Sequence, residues 1–150
     1  MSEPLQVKTM ADYAAKGEVP EVLFWIGCMG SFDDRARKIT KAFLRILNKA
    51  NVKFAVVGQE EGCTGYPARR AGNEFLFQMQ ALQNIAVLNG YGITRIVSAC
   101  PHCFNTFKNE YPALGGQYEV MHHTQFINTL IKEGRIKVEG GSFKGKRITF

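Results

Sequence analysis

The chain contains four cysteines, Cys28, Cys63, Cys100 and Cys103, the last two within Cys100-Pro101-His102-Cys103. Thiolates are nucleophiles, redox centres and soft metal ligands, so their placement decides what chemistry is open to the chain. Cys28, Cys63 and Cys100 each sit in a turn bearing Gly or Pro, just after an apolar, β-rich run: 22–27, 54–58 and 95–99. A structural cysteine lies inside an apolar run, whereas these lie at the ends. The placement predicts that three distant parts of the chain bring thiolates to one point.

The elements that must position them alternate. Strands are expected over about 21–27, 52–58, 94–99 and 118–122. A helix over about 33–50, with Asp33 or Ser31 as cap, carries Ile39, Phe43, Ile46, Leu47 and Ala50 at helical spacing. A second, over about 70–90, carries Phe75, Met79, Leu82 and Ala86 on one stripe, expected to face the core, and ends at Asn89-Gly90. A short helix runs from Pro101 to about Lys108 and stops before Pro112, and Thr124 is the expected cap of a last helix over about 125–133. Residues 1–20 read as an irregular segment with a short helix near Met10–Lys16, and the chain stops inside a strand-like run, 147–150, as a truncated protein would. Alternation of strand and helix implies right-handed crossovers. The expected fold is α/β, a single three-layer domain over residues 1–150 with a mostly parallel sheet of four to five strands. Ligands of such sheets bind beyond the strand carboxyl ends. Cys28, Cys63 and Cys100 fall there, and His122 and His123 end the fourth strand on the same edge.

At 150 residues the chain is long enough for a core that needs no disulfide staple. The N-terminus lacks a basic-then-apolar signal pattern, and no apolar run approaches the ~18–20 residues that span a bilayer. A cytoplasmic protein is expected, touching a membrane only through partners, with its thiols reduced and serving metal binding or catalysis. The net charge is +6, with basic residues gathered in Arg35, Arg37, Lys38, Lys41, Arg45 and Lys49, and again in Lys132, Arg135, Lys137, Lys144, Lys146 and Arg147. These read as solvated faces, or as a docking face for an acidic protein. Aromatic residues do not alternate with them, so nucleic acid is not the expected partner.

Several chemistries suit four converging thiols. A [4Fe–4S] cluster takes four thiolates. Gly27 and Gly30 around Cys28, and Gly62 and Gly65 around Cys63, would let backbone N–H groups approach sulfur and tune its potential. A structural zinc also takes four cysteines, but usually as two close pairs, whereas Cys28 and Cys63 are single and far apart. Zinc is better viewed as an occupant of a purified sample, as is the metal-free state. A Cys-x-x-Cys thiol–disulfide oxidoreductase fits the strand–motif–helix context. It leaves Cys28 and Cys63 unexplained, and the motif comes late in the chain. Four unrelated cysteines are the plainest alternative.

Two segments are informative together: 61–74, Glu-Gly-Cys-Thr-Gly-Tyr-Pro-Ala-Arg-Arg-Ala-Gly-Asn-Glu, and 96–112, which runs from Ile96 through the Cys100–Cys103 motif to Pro112. They resemble the cysteine-rich "CCG" domain found in the B subunit of heterodisulfide reductase, the anaerobic glycerol-3-phosphate dehydrogenase C subunit and lactate-utilisation iron–sulfur proteins. The likeness is strongest to heterodisulfide-reductase-related iron–sulfur oxidoreductases encoded near electron-transfer flavoproteins and acyl-CoA dehydrogenases, and it runs from about Val22 to His123. The family's first cysteine matches Cys28, its Cys-Cys-Gly falls on Gly62-Cys63-Thr64-Gly65, and its Cys-x-x-Cys matches Cys100 and Cys103. The adjacent cysteine pair is reduced to one, with Gly62 before Cys63. The resemblance therefore implies a [4Fe–4S] electron carrier held by Cys28, Cys63, Cys100 and Cys103, and not the disulfide-cleaving non-cubane cluster. It also implies a flavoprotein partner, such as an electron-transfer flavoprotein or a dehydrogenase. Family members usually carry two such motifs, so the chain is expected to be the N-terminal half of a two-motif unit.

Around this set, His102 lies inside the Cys-x-x-Cys loop and is read either as a group tuning the cluster or as a loop filler. His122 and His123 alternate in direction, one toward the core and one toward the site edge. Arg69 and Arg70 follow Cys63 and are read as offsetting cluster charge or as a solvated helix start. Trp25 is read as core.

Overall fold

The computed structural model describes residues 5–140, together with Gly145 and Arg147. Its sheet has four strands, β1 (Val22–Trp25), β2 (Phe54–Ala55), β3 (Arg95–Ser98) and β4 (Glu119–His122), all parallel in the order β2-β1-β3-β4. The β-like run 147–150 lies outside the described residues apart from Arg147. Successive side chains of β1 point to opposite faces of the sheet. Leu23 and Trp25 join one apolar cluster, and Val22 and Phe24 join another. Each cluster is closed by a helical layer, which gives the expected three-layer α/β architecture.

Seven helices accompany the strands among the described residues: α1 (Met10–Ala15), α2 (Gly27–Phe32), α3 (Asp34–Lys49), α4 (Tyr66–Arg70), α5 (Glu74–Gly90), α6 (Pro101–Asn105) and α7 (His123–Lys132). Phe43, Leu44 and Leu47 of α3 pack with Phe126 and Leu130 of α7 on the Phe24 side. Phe77, Ala81, Ile85 and Leu88 of α5 pack on the Trp25 side with Phe107 and Tyr111. The ring of Phe107 meets Trp25 edge-on at 4.8 Å and Tyr111 at 4.7 Å.

Several boundaries differ from the sequence expectation, each for a local reason. The turn after β1 is helical, α2, and Asp33 caps α3 by accepting from the Ala36 N–H at 2.8 Å. The expected helix 70–90 starts only at Glu74, where Asn73 caps α5 through the Leu76 N–H; Arg70 instead ends a separate short helix, α4, which the sequence reading did not expect. The helical run after Cys100 does not stop before Pro112. It passes through a π-helical turn, Thr106–Glu110, into a 3₁₀ turn, Tyr111–Leu114, whose first turn tolerates proline because the missing N–H has no helical partner there. Strand two shortens to two residues, and the N-terminal segment is tied to its end: Met10 N donates to Val56 O at 2.9 Å and Val56 N to Lys8 O at 3.1 Å. A reciprocal Thr9–Asp12 cap then starts α1, which buries Met10 and Tyr13. The last helix begins at His123, capped by His122 and not by Thr124.

The largest correction concerns α5. Phe75 is 77% exposed, Met79 54% and Leu82 50%, and Ala86 is exposed too. The buried stripe is Phe77, Ala81, Asn84, Ile85 and Leu88. In α3, Ile39 is likewise exposed while Thr40 and Leu44 are buried.

This rotation has a direct consequence for stability. Phe77→Ala leaves a cavity against the sheet and should cost about 3–5 kcal/mol, whereas Phe75→Ala should change stability by less than about 0.5 kcal/mol. Urea midpoints at constant slope measure both, and equal losses would contradict the assigned helix face.

Candidate metal centre

The strand order places β1 and β3 side by side, with their onward connections leaving in opposite directions. That is the switch point of a parallel sheet, where a crevice opens beyond the carboxyl ends. The two strands stay in register up to Trp25↔Ser98. Cys28 follows β1 in the first turn of α2, Cys100 follows β3 as the N-cap of α6, and Cys103 lies inside α6. Cys63 arrives from the β2 side, on the loop between the 3₁₀ turn Gly58–Glu60 and α4.

All four cysteines line one cavity of about 210 Å³, shared with Trp25, Gly27, Met29, Gly62, Thr64 and His102 among others. All four are free thiols, graded from exposed Cys28 through Cys63 and Cys100 to buried Cys103. Among the described residues no three His, Cys, Asp or Glu side chains converge closely enough to hold a single metal ion. A neighbouring cleft of about 410 Å³ shares Cys28 and Cys63 with this cavity.

Two glycines make the close packing possible. Gly27 has φ +76°, and a Cβ there would fall 3.3 Å from Cys103 Sγ. Gly65 has φ +87°, and a Cβ would fall 2.7 Å from the Phe77 ring, so a side chain would push the Cys63 loop off α5. Gly65 N donates to Cys63 Sγ at 3.5 Å.

Residues that sequence reasoning did not single out fix the loops. The Glu61 carboxylate accepts from Gly27 N at 2.6 Å and from Ile26 N at 3.2 Å, tying the Cys63 loop to the Cys28 loop. Asn84 donates to Cys63 O at 2.8 Å and to the Tyr111 hydroxyl at 3.1 Å, and Tyr111 donates to Thr64 O at 3.1 Å. The Thr64 hydroxyl points at Cys103 Sγ, 3.8 Å away. One signal for this network lay in the sequence: Asn84 is a polar residue at the 77/81/84/88 spacing of an apolar helix face.

The histidines and arginines around the cysteines divide. His102 lines the cavity and stacks on Tyr66, with centroids 4.4 Å apart. His122 is outside the cavity wall. Its imidazole lies 3.1 Å from Ala99 O and 2.8 Å from Thr124 Oγ1, so it holds the loop that carries Cys100. His123 belongs to α7 and meets the Phe43 ring edge-on at 5.6 Å, away from the thiols. Arg69 is engaged elsewhere, 3.5 Å from Glu110, 3.6 Å from Glu74 and over the Phe77 ring, while Arg70 pairs with Glu110. Trp25 is core, as expected, and also forms part of the cavity wall.

Proton affinities in the Cys-x-x-Cys pair are split. The Cys103 thiol hydrogen-bonds to Cys100. With the backbone N–H groups of Cys103 and His102 and the charge of His102, this draws the Cys100 pKa down to about 5. The same hydrogen bond, burial and the charge of Cys100 push Cys103 far upward. The first proton of the pair is therefore held less tightly at Cys100 than at Cys103.

The chain belongs to the cysteine-rich CCG domain family, whose model matches residues 22–108. It is 46% identical over 121 residues to an EtfAB:quinone oxidoreductase of Syntrophomonas wolfei, covering 81% of this chain and 17% of that protein. It is 42% identical over 132 residues to the probable iron-sulfur-binding oxidoreductase FadF of Bacillus subtilis, covering 88% and 19%. Against the D subunit of the dihydromethanophenazine:CoB–CoM heterodisulfide reductase of Methanosarcina barkeri, identity is 33% over 125 residues, covering 79% and 30%. The chain thus spans less than a third of the length of these relatives. No solved structure gives a significant match. Among the described residues no helix is long and apolar enough to cross a membrane.

Glu61 yields a pH prediction for the metal-free protein. Burial raises its pKa from 4.5 to about 7, against the opposing pull of the Gly27 and Ile26 N–H groups. The folded state therefore binds more protons than the unfolded state between about pH 4.5 and 7. This group's contribution is most favourable at the acid end of that window and is lost as pH rises through it. Denaturant titrations across the window should show that decline, and Glu61→Gln should flatten it. An unchanged slope in the variant would assign the decline to other groups.

Proposed function

We propose that this chain is an iron–sulfur electron-transfer domain of a larger oxidoreductase. In this reading Cys28, Cys63, Cys100 and Cys103 hold one [4Fe–4S] cluster. The observation that carries the reading is the single cavity lined by four free thiols delivered from three strand ends. The donor set fits the group: four soft sulfur ligands around one cavity, and a glycine, Gly27, that keeps backbone close to Cys103 Sγ. The names of the relatives, an iron-sulfur-binding oxidoreductase and a heterodisulfide reductase among them, support the same class. When bound, such a cluster supplies one-electron transfer.

The residues of the chain supply its environment. The Cys63 loop is held by Asn84, Tyr111 and Glu61, and the Cys100 loop by His122, so the thiols are pre-placed before metal arrives. Thr64 aims a hydroxyl at the Cys103 sulfur, and hydrogen bonds to cluster sulfur raise its reduction potential. The turn Gly62-Cys63-Thr64-Gly65 carries one cysteine where the family has an adjacent pair, which favours the simple carrier over disulfide-cleaving chemistry. We assign residues 1–150 to one cysteine-rich domain, to be completed by further chain or subunits, with a flavoprotein as redox partner. The EtfAB:quinone oxidoreductase relative supports that choice of partner.

The low pKa of Cys100 beside Cys103 favours a second reading, a thiol–disulfide oxidoreductase. Anaerobic iron-loading followed by iron, sulfide and zinc analysis and EPR separates the two. About four irons and four sulfides per chain are expected, with binding abolished in Cys63→Ser or Cys103→Ser. Zinc without sulfide, or a metal-free protein with a Cys100–Cys103 disulfide and reductase activity, would overturn the cluster reading.

A further inference from the structure

The exposed side of the thiol cavity opens onto an apolar face. Cys28 is exposed, and beyond it Met29 is 55% exposed, Phe32 85% and Ile39 45%. A groove of about 270 Å³ runs between α2, α3 and the start of α6, past Met29, Ala36, Ile39 and Pro101, and shares Met29, Cys100 and His102 with the thiol cavity. Water is left against large apolar side chains at the place where electrons would enter or leave. Phe32, three residues after Met29 on α2, lines the neighbouring cleft that holds Cys28, so exposed apolar side chains stand on both sides of that thiol, and such exposure marks an interaction surface.

The border of this face is basic along α3, beyond Asp33 and Asp34, which follow Phe32 and of which Asp34 pairs with Arg37. Positions 35, 38, 42, 45 and 49 of α3 recur at spacings of three and four residues, so they form one stripe of the helix. The stripe consists of Arg35, Lys38, Ala42, Arg45 and Lys49, all exposed, with no carboxylate in it. Ile39 lies four residues after Arg35 and so borders the stripe. Among the described residues Arg35, Lys38 and Arg45 have no carboxylate partner within salt-bridge distance. Ion pairing within the chain therefore does not account for them.

We propose that the α2–α3 face is the docking surface for an acidic electron-transfer protein. Phe32, Met29 and Ile39 form its apolar centre, and Arg35, Lys38 and Arg45 form its basic rim. An apolar centre inside a charged rim is the anatomy of a specific, reversible interface. The rim steers a partner of opposite sign and repels a second copy of the same stripe. Docking there sets the partner against Cys28, the most exposed thiol of the site.

The proposal rests on the iron–sulfur reading for its purpose but not for its test. The probe is an acidic flavodoxin, whose binding to the full chain is measured by calorimetry at low and high salt. Its electron exchange with the iron-loaded chain is followed separately by stopped flow. Arg35→Glu combined with Lys38→Glu should weaken binding at least about tenfold at low salt. Phe32→Ser should weaken it at every salt concentration, because the apolar centre carries no charge. Iron and sulfide content and reduction by methyl viologen, a small cation, should stay unchanged. Unaltered flavodoxin binding in both variants would overturn the surface while leaving the cluster reading intact. A chain that takes up no cluster yet binds flavodoxin through these residues would sustain the surface and overturn the cluster. Loss with charge reversal but not with Phe32→Ser, or tighter binding to anionic phosphatidylserine vesicles or duplex DNA, would replace the protein partner with a generic polyanion and overturn the proposal.

Discussion

Everything at this site depends on the parallel pairing of β1 with β3. Leu23 pairs with Ile96, Phe24 with Val97 and Trp25 with Ser98, and all six are buried. Parallel pairing points both strands the same way, and the order β2-β1-β3-β4 sends the chain in opposite directions from their shared end. Cys28 stands three residues past the last paired residue of β1, and Cys100 two past that of β3. A slip by one residue would exchange the two faces of a strand. It would put Trp25 on the Phe24 side, where α3 and α7 are already packed. The core therefore fixes the separation of the thiols, although none of them belongs to a strand.

Strand ends alone leave loops free to move, and the structure restrains them with buried polar contacts. Glu61 gathers two backbone N–H groups from the turn that carries Cys28. Asn84 and Tyr111 reach from opposite elements to the backbone of Cys63 and Thr64. A buried polar group without a partner costs about 1–3 kcal/mol, so each tether holds the loop in the geometry that satisfies it. His122 performs the same service for Ala99. Thiols on loops need this kind of support if they are to hold a metal group, because orientation of ligands depends on what lies behind them.

Much of this was legible in the sequence. The alternation of apolar runs and helical stripes gave the fold class, and the placement of Cys28, Cys63 and Cys100 at run ends gave the edge of the sheet. What could not be read depended on contacts across the fold. Helix α5 carries apolar residues on more than one face, so spacing offered both the 75/79/82/86 stripe and the 77/81/84/88 stripe. The second carries Asn84 and looks less apolar, and only its partners Cys63 and Tyr111 explain why it is inside. Likewise, Arg69 stands close to Cys63 in sequence, but Glu110, 41 positions on, holds its guanidinium. The pairing of residues 8–10 with Val56 depended on a long-range bridge that no local signal announces.

The central proposal is that the four thiols surround a multi-iron group and do not share a single ion. Iron K-edge X-ray absorption of the anaerobically loaded chain tests it most directly. A first shell of sulfur around iron, together with iron–iron scattering, is the expected result. A lone metal with no metal–metal scattering, or a first shell dominated by oxygen and nitrogen, would contradict it.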